Sequence, residues 1–374
     1  MRMQTYLAPF LSRLRPRLGL SNAYTRVASR SWQIAPESRS VAPAAIYDAG
    51  ELARITGGSP DRTKDEELAS IHGGPQRHAP TMAFEFRNAV LAQGHLFTNR
   101  MCYPLSAHRL PFVAREIDAE YDEAVLVSSP YGIKYFGHWM RDDLPRVYAA
   151  RDIGHPVSVL ARPTRGQQGY LDLLELNTDV AENAFFKRIV VLEDYGHNPF
   201  RLARFLKMRE IAARVAPPTA ARGVMLLRGA VGERRQLENE VEVAEAVAAR
   251  GFRVLDSTRA TAREMIEACR EAPIVLGVEG SQLSNGMMWM SRRGAVLVLQ
   301  PPQRFVSVHK DYCDLMGIGY AFVVGHATSD GGFRIDLDAL LRMIDGLEAR
   351  YGSVPEPTLP RPRPTARPAD AWST

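Results

Sequence analysis

Short apolar runs recur through the middle of the chain, at 124–127, 157–161, 189–192, 224–227, 253–255, 274–276, 295–299 and 321–324. Each is rich in Val, Ile, Leu or Ala and bounded by glycine, proline or charge. Runs of this length without polar alternation suit strands buried on both faces of a parallel sheet. Several intervening stretches carry a helical period. Over 240–250, Val241, Ala244, Val247 and Ala248 share one side, with Asn239 as N-cap and Gly251 as the stop. Thr261-Ala262-Arg263-Glu264 has the form of a capping box and opens a helix that runs through Cys269. The run 282–290 reads as another helix, and Asp336 caps a last one over 337–350. Strand–helix alternation implies α/β units around a parallel sheet. The regular part, about 222–330, reads as one doubly wound domain. The part from about 82 to 205 reads as a second, less regular α/β lobe, with Pro217-Pro218 as the hinge.

The two ends change this picture. Residues 1–36 hold six arginines and no acid, with Leu7, Phe10, Leu11, Leu14 and Leu18 at near-helical spacing. Such a segment suits a helix packed on its own protein, an interfacial helix on an anionic membrane, or an organelle transit peptide. Residues 56–81, rich in Gly, Pro and charge, read as a long loop, and the Pro/Arg-rich 355–374 as a disordered tail. The expected organisation is a basic N-terminal segment and connection (1–81), an N-terminal lobe (82–215), a C-terminal lobe (216–352) and the tail (353–374).

Composition narrows the function. The 374 residues, 45% apolar, are ample for a core. No run reaches the roughly eighteen apolar residues of a membrane-spanning helix. The net charge of +5 is too mild for a dedicated nucleic-acid binder. Of the 47 basic residues only five are lysine. Cys102, Cys269 and Cys313 are odd in number and widely spaced, which suits reduced thiols in a cytoplasmic protein.

Ligands of α/β sheets sit beyond the carboxyl ends of the strands, so chemistry is sought in the strand-to-helix loops. After the run 274–276 comes Gly277-Val278-Glu279-Gly280-Ser281-Gln282-Leu283-Ser284-Asn285. Its small residues allow close backbone approach, and the helix N-terminus behind them suits a diphosphate. Glu279 would rather meet sugar hydroxyls than phosphates; a solvated Glu279 on a plain turn is the alternative. In Gly137-His138-Trp139-Met140-Arg141-Asp142-Asp143-Leu144-Pro145-Arg146, a helical 137–144 would put His138 and Asp142 on one face, a workable general base. Pro145 would kink or end that helix, and a surface His–Asp pair, or a capping Asp143, is the alternative. Arg228, Arg234 and Arg235, after the run 224–227, face the sites where a diphosphate would leave, unless they form a solvated basic turn. Asp336-Leu337-Asp338 has a metal-binding form, but capping explains it better. His197, His309 and His326 lack partners at metal-ligand spacing.

In this order and spacing the three segments resemble glycosyltransferase family 61, over roughly residues 120–330. Gly137-His138-Trp139 with Asp142 and Leu144-Pro145-Arg146 resembles the family's G-H-W-x-x-D-x-L-P-R block. Arg228 with Arg234/Arg235 and Asn239-Glu240 resembles R…R-x-x-N-E, and Gly277–Asn285 resembles G-x-H-G-A-G-L-S-N. Glu279 stands for the usual histidine, Gln282 for a glycine and Tyr135 for a common asparagine. The resemblance implies a GT-B fold, two facing Rossmann-like lobes with a cleft between them. It further implies inverting, usually metal-free transfer from a nucleotide sugar, most often UDP-linked, without a cofactor. Bacterial members serve capsule, exopolysaccharide or lipopolysaccharide assembly, so a glycan or lipid-linked acceptor is expected, at the cytoplasmic face of the cell membrane, where residues 1–30 could touch lipid. On this reading His138 and Asp142 activate the acceptor. Arg228 and Arg235 hold the diphosphate, with Arg234 as the alternative to Arg235. Gly280 and Ser281 give backbone contacts, Glu279 orients the donor sugar, and Asn285 completes the donor block. The altered Glu279 block and basic N-terminus also fit a non-catalytic two-lobed partner in polysaccharide assembly. An NAD-type oxidoreductase is disfavoured by the missing glycine fingerprint.

Overall fold

The computed structural model describes residues 6–352 apart from 22, 60, 107–108, 115–116, 160–162 and 229–234. The expected tail and Arg234 lie outside these residues. Near the N-terminus come α1 (Ala8–Arg17), α2 (Tyr24–Val27), β1 (Arg30–Ala35) and β2 (Ser38–Ala42). There follow α3 (Glu51–Arg54), α4 (Lys64–Ile71), β3 (Gly74–His78), β4 (Thr81–Ala92), β5 (His95–Phe97) and β6 (Cys102–Pro104). Next are β7 (Ala119–Leu126), α5 (Pro130–Lys134), α6 (Phe136–His138), a π-helical turn (Trp139–Asp143) and α7 (Leu144–Arg151). Then come β8 (Pro156–Ser158), α8 (Arg165–Leu173), β9 (Asp179–Val180), β10 (Ala184–Glu193) and α9 (Pro199–Val215).

These strands build a mixed sheet in the order β6-β5-β4-β10-β7-β8-β9, with β1 also on β4. Its core runs parallel from β10 through β7 to β8, with Ile189 opposite Ala124 and Val191 opposite Leu126. The long β4, antiparallel to β10, has no counterpart among the apolar runs. Its pattern is broken by Arg87 and Asn88, where the backbone turns through φ 52°.

The second half alternates regularly: β11 (Gly223–Leu227), α10 (Glu240–Ala249), β12 (Phe252–Asp256), α11 (Ala262–Cys269), β13 (Ile274–Val278), α12 (Gln282–Trp289), β14 (Ala295–Gln300), α13 (Val308–Met316) and β15 (Gly319–Val324), then α14 (Leu337–Tyr351). All five strands are parallel, in the order β12-β11-β13-β14-β15. Taken along the chain this is 2-1-3-4-5, a doubly wound sheet whose strand order reverses between β11 and β13. α10 and α14 cover one face, and α11, α12 and α13 the other.

The expected capping box at Thr261 forms, with Glu264 Oε2 accepting the Thr261 amide at 2.8 Å. Asp336 caps α14 through the amides of Asp338 and Ala339, as capping rather than metal binding predicts. Asn239, expected as an N-cap, instead pairs both side-chain atoms with the Ile335 backbone.

Where two lobes facing across a cleft are expected, the described residues form two sheets joined through a packed helical layer. One apolar cluster runs without a break from Val125, Leu144 and Val147 through Phe205 and Met208 to Leu283, Met287, Trp289 and Val298. Residues 56–81, expected as loop, contain α4, opened by a capping box at Thr63, and β3. Residues 46–67 fasten onto the second half. Ile46 bridges Ala321, the Glu51 carboxylate accepts the Val324 amide, and Glu67 accepts the Ser307 amide at 2.8 Å. No helix among the described residues is long and apolar enough to cross a membrane.

Candidate active site

The segment after β7 carries the first site residues. Pro145 sits in the first turn of α7 without ending the helix. Having no N–H, it cannot bond the carbonyl four residues back. The Leu144 amide reaches instead to the Trp139 carbonyl, five residues back, giving the π turn. The Arg141 carbonyl, which Pro145 four residues on cannot serve, takes Arg201 Nη2 at 3.0 Å. π turns of this kind are frequent at functional sites.

Across this turn His138 Nδ1 lies 2.7 Å from Asp142 Oδ2. Asp142 is buried, and its Oδ1 accepts from Tyr312 Oη at 2.7 Å and from Arg201 Nη2. Burial alone would raise this carboxyl. The Arg201 guanidinium, the His138 bond and Arg141 outweigh it and hold Asp142 well below the usual carboxylate range. An ionised carboxylate only accepts, so Nδ1 carries the proton shared with Asp142, and Nε2 has no hydrogen-bond partner among the described residues. The His138 side chain is 29% exposed, against 8% for Asp142. Asp143 does not cap α7 with its side chain. It is buried against the Ser129 amide and hydroxyl and Arg146.

The second set gathers where the strand order reverses. Arg228 follows β11 and Glu279 follows β13. Nη1 of Arg228 and Nη1 of Arg235 each donate to the Glu279 carbonyl at 3.0 Å, and Arg235 also pairs with the Glu279 carboxylate. Glu279 is 3% exposed; burial raises its carboxyl, an effect that Arg235, Arg304 and Arg228 offset only in part. β13 extends two residues further than its apolar run, so Gly277 is a strand residue and the turn begins at Glu279. The backbone amides of Gly280 and Ser281 have no acceptor among the described residues. Asn285 is buried in α12 and accepts from Tyr170 Oη of α8 at 2.8 Å.

The two sets meet at Gly137. A Cβ there would lie 3.1 Å from the hydroxyls of both Ser281 and Ser284, so glycine lets α6 approach the start of α12 this closely. The structure therefore brings His138, Asp142, Arg228, Arg235, Glu279, Gly280 and Ser281 into one neighbourhood, with Asn285 one turn behind.

Sequence reasoning missed four residues of this neighbourhood. Arg141, Arg201 and Tyr312 surround Asp142, and the Arg141 guanidinium stacks 4.4 Å from the Tyr312 ring centroid. His309, dismissed for lack of metal-ligand spacing, is 1% exposed with its ring against the Gly280 backbone. Burial first, then Arg141 and Arg235, push it well below its ordinary value, so it is a neutral imidazole. Arg141 adjoins a residue already singled out; no local pattern marks the other three. Among the described residues no group of three or more His, Cys, Asp or Glu is arranged to hold a metal ion.

Comparison with known proteins bears on the same segment. The metal-soaked Flv1 flavodiiron core from Synechocystis sp. PCC6803 is 12% identical, covering 48% of this chain and 47% of its own, with a TM-score of 0.24. The flavodiiron protein from Giardia intestinalis is 10% identical, covering 58% and 53%, with a TM-score of 0.22. The chain thus spans about half the length of each. No curated protein matches the sequence. The family model for Glycosyltransferase 61 matches residues 136–298, from the start of α6 into β14. That segment carries every site residue named from the sequence, and over it the chain is similar to the glycosyltransferase 61 family.

Proposed function

We propose that the protein transfers a sugar, with inversion, from a UDP-linked donor to a hydroxyl of a glycan or lipid-linked acceptor in surface-polysaccharide assembly. The observation that carries this reading is the contact of α6 with the start of α12, which sets an oriented imidazole beside a turn rich in backbone donors and arginine. In the proposed step, Nε2 of His138 takes the acceptor's proton as its oxygen attacks the anomeric carbon. The bond from that carbon to the diphosphate breaks, and the electron pair leaves with the diphosphate. Asp142 keeps Nδ1–H in place and stabilises the imidazolium. Arg228, Arg235, the Gly280 and Ser281 amides and the positive end of α12 neutralise the leaving group, which dispenses with a metal for that role. Glu279, paired with Arg235, holds the two arginines at the strand ends. Binding in a GT-B manner would place the nucleotide at the reversal between β11 and β13.

Incubation with UDP-glucose, UDP-galactose, UDP-N-acetylglucosamine and UDP-xylose, read as UDP release, tests the reading. His138→Ala should fold normally and lose about 10²–10⁴-fold in turnover, and Arg228→Ala should weaken UDP binding. Retained turnover without His138 removes the base assignment. UDP binding without any release would favour the non-catalytic alternative.

A peripheral, cytoplasmic-face location belongs to the same proposal. α1 buries Ala8, Pro9 and Ser12 while Leu7, Phe10, Leu18 and Leu20 stay exposed beside Arg15 and Arg17, a face suited to anionic lipid. Sedimentation with phosphatidylglycerol vesicles but not with phosphatidylcholine vesicles is the expected result.

A further inference from the structure

Tyr312 stands apart from the rest of the site. It lies on α13, between β14 and β15, beyond the family-matched segment. Asp142 lies between β7 and β8 of the other sheet. The Tyr312 hydroxyl nevertheless reaches Asp142 Oδ1 at 2.7 Å, opposite the oxygen that holds His138. The ring is clamped. Arg141 stacks on it at 4.4 Å, Arg201 lies 5.3 Å from its centroid, and His197 meets it edge-on at 4.6 Å. Burial first, and then the Asp142 carboxylate, raise the phenol, so it remains a neutral donor.

We infer that Tyr312 is a positioning residue for the transfer. Its hydroxyl fixes the rotation of the Asp142 carboxylate, and through it the tautomer and orientation of His138, so the base is aligned only while α13 is docked against the π turn. This rests on His138 acting as the base. Without Tyr312, Oδ1 keeps only the Arg201 donor while Oδ2 is left to His138, so the carboxylate can turn further about its Cβ–Cγ bond; a second donor to Oδ1 from another element narrows that freedom. The physical consequence is a link between the packing of the two sheets and the readiness of the base.

The test is a double-mutant cycle on the full chain, with UDP release from whichever of the four UDP-sugars the wild type turns over. Tyr312→Phe keeps the ring and its packing. Its kcat should fall about 10–100-fold, the usual cost of losing an outer orienting partner, with KM for the donor little changed. In a His138→Ala background the same change should cost nothing further. Independently of any substrate, the ring ¹⁵N resonances of His138 should report Nδ1 protonation in the wild type and a tautomer mixture in Tyr312→Phe. Should Tyr312→Phe not fold, Tyr312→His, which keeps a ring and an N–H donor, enters the same cycle and should retain more kcat than Tyr312→Leu.

A wild-type kcat and an unchanged ¹⁵N pattern in Tyr312→Phe would overturn the inference while leaving the base assignment standing. An equal loss in both backgrounds would reduce Tyr312 to a structural role. Full turnover in His138→Ala would instead remove the base, and this inference with it.

Discussion

Asp142 receives three donors from three separate elements: His138 across its own turn, Arg201 from α9 and Tyr312 from α13. This makes it a poor choice of base, because three donors stabilise its charge. It also makes Asp142→Asn a compound change. The variant would leave the buried Arg201 charge with weaker compensation, so stability should drop by about 3 kcal/mol along with turnover. His138, on the rim, should show the catalytic loss without the unfolding penalty. Urea midpoints of the two variants, measured beside their UDP-release rates, check this; an equally stable Asp142→Asn would contradict it. The individual residues His138, Asp142, Arg228 and Glu279 were legible because each adjoins a glycine- or proline-marked turn at a strand end. Tyr312 and Arg201 were not, since they act on Asp142 from 170 and 59 positions away.

At the scale of the element, the π turn is the device that sets the site. Its cause is local, a proline that cannot donate, and its consequence is distant, an Arg141 carbonyl opened to Arg201. Pro145→Ala would restore an N–H able to bond Arg141 O and draw the turn toward α-helix. We expect helical content in circular dichroism to hold or rise while turnover falls by at least about tenfold, because His138 and Asp142 change register. An unaltered rate would show that the turn merely tolerates the proline. The helix starts at Thr261 and Asp336 and the five parallel strands of the second sheet could be read directly, because a capping residue and an unbroken apolar run are short-range signals. β4 could not, since its two ends are apolar but its middle carries Arg87 and Asn88. Its place between β5 and β10 comes from pairing partners distant in sequence.

For the whole molecule, the continuous apolar layer between the sheets means that the site is assembled by packing as much as by either sheet alone. The Tyr170–Asn285 bond is one of its polar fastenings. Asn285→Ala would bury an unsatisfied phenol and should cost about 1–3 kcal/mol, read as a lower urea midpoint, with UDP affinity changed little. A large affinity loss without destabilisation would return Asn285 to the donor site. Acid should also loosen this layer. Burial tends to raise both Asp142 and Asp194, but Arg201 holds the first down and Arg204 the second. A carboxyl held below its unfolded value contributes stability above about pH 4, where the unfolded chain is ionised, and loses it as pH falls through the native value. These two carboxyls should therefore make urea midpoints drop as pH falls between about 4 and 2. A midpoint that is constant down to pH 3 would mean these pairs are energetically silent.

By itself the sequence determined the α/β class, the doubly wound second half, the caps at Thr261 and Asp336, and the segments that hold the candidate chemistry, because each depends on residues within about one turn or one strand of one another. Only the tertiary structure decided which nitrogen of His138 faces Asp142, that Asp142 is buried among His138, Arg201 and Tyr312, that Glu279 is paired inward with Arg235, and that Tyr312 reaches across from the other sheet. Protonation and orientation follow from burial and from partners the chain supplies from afar, and no local spacing encodes either.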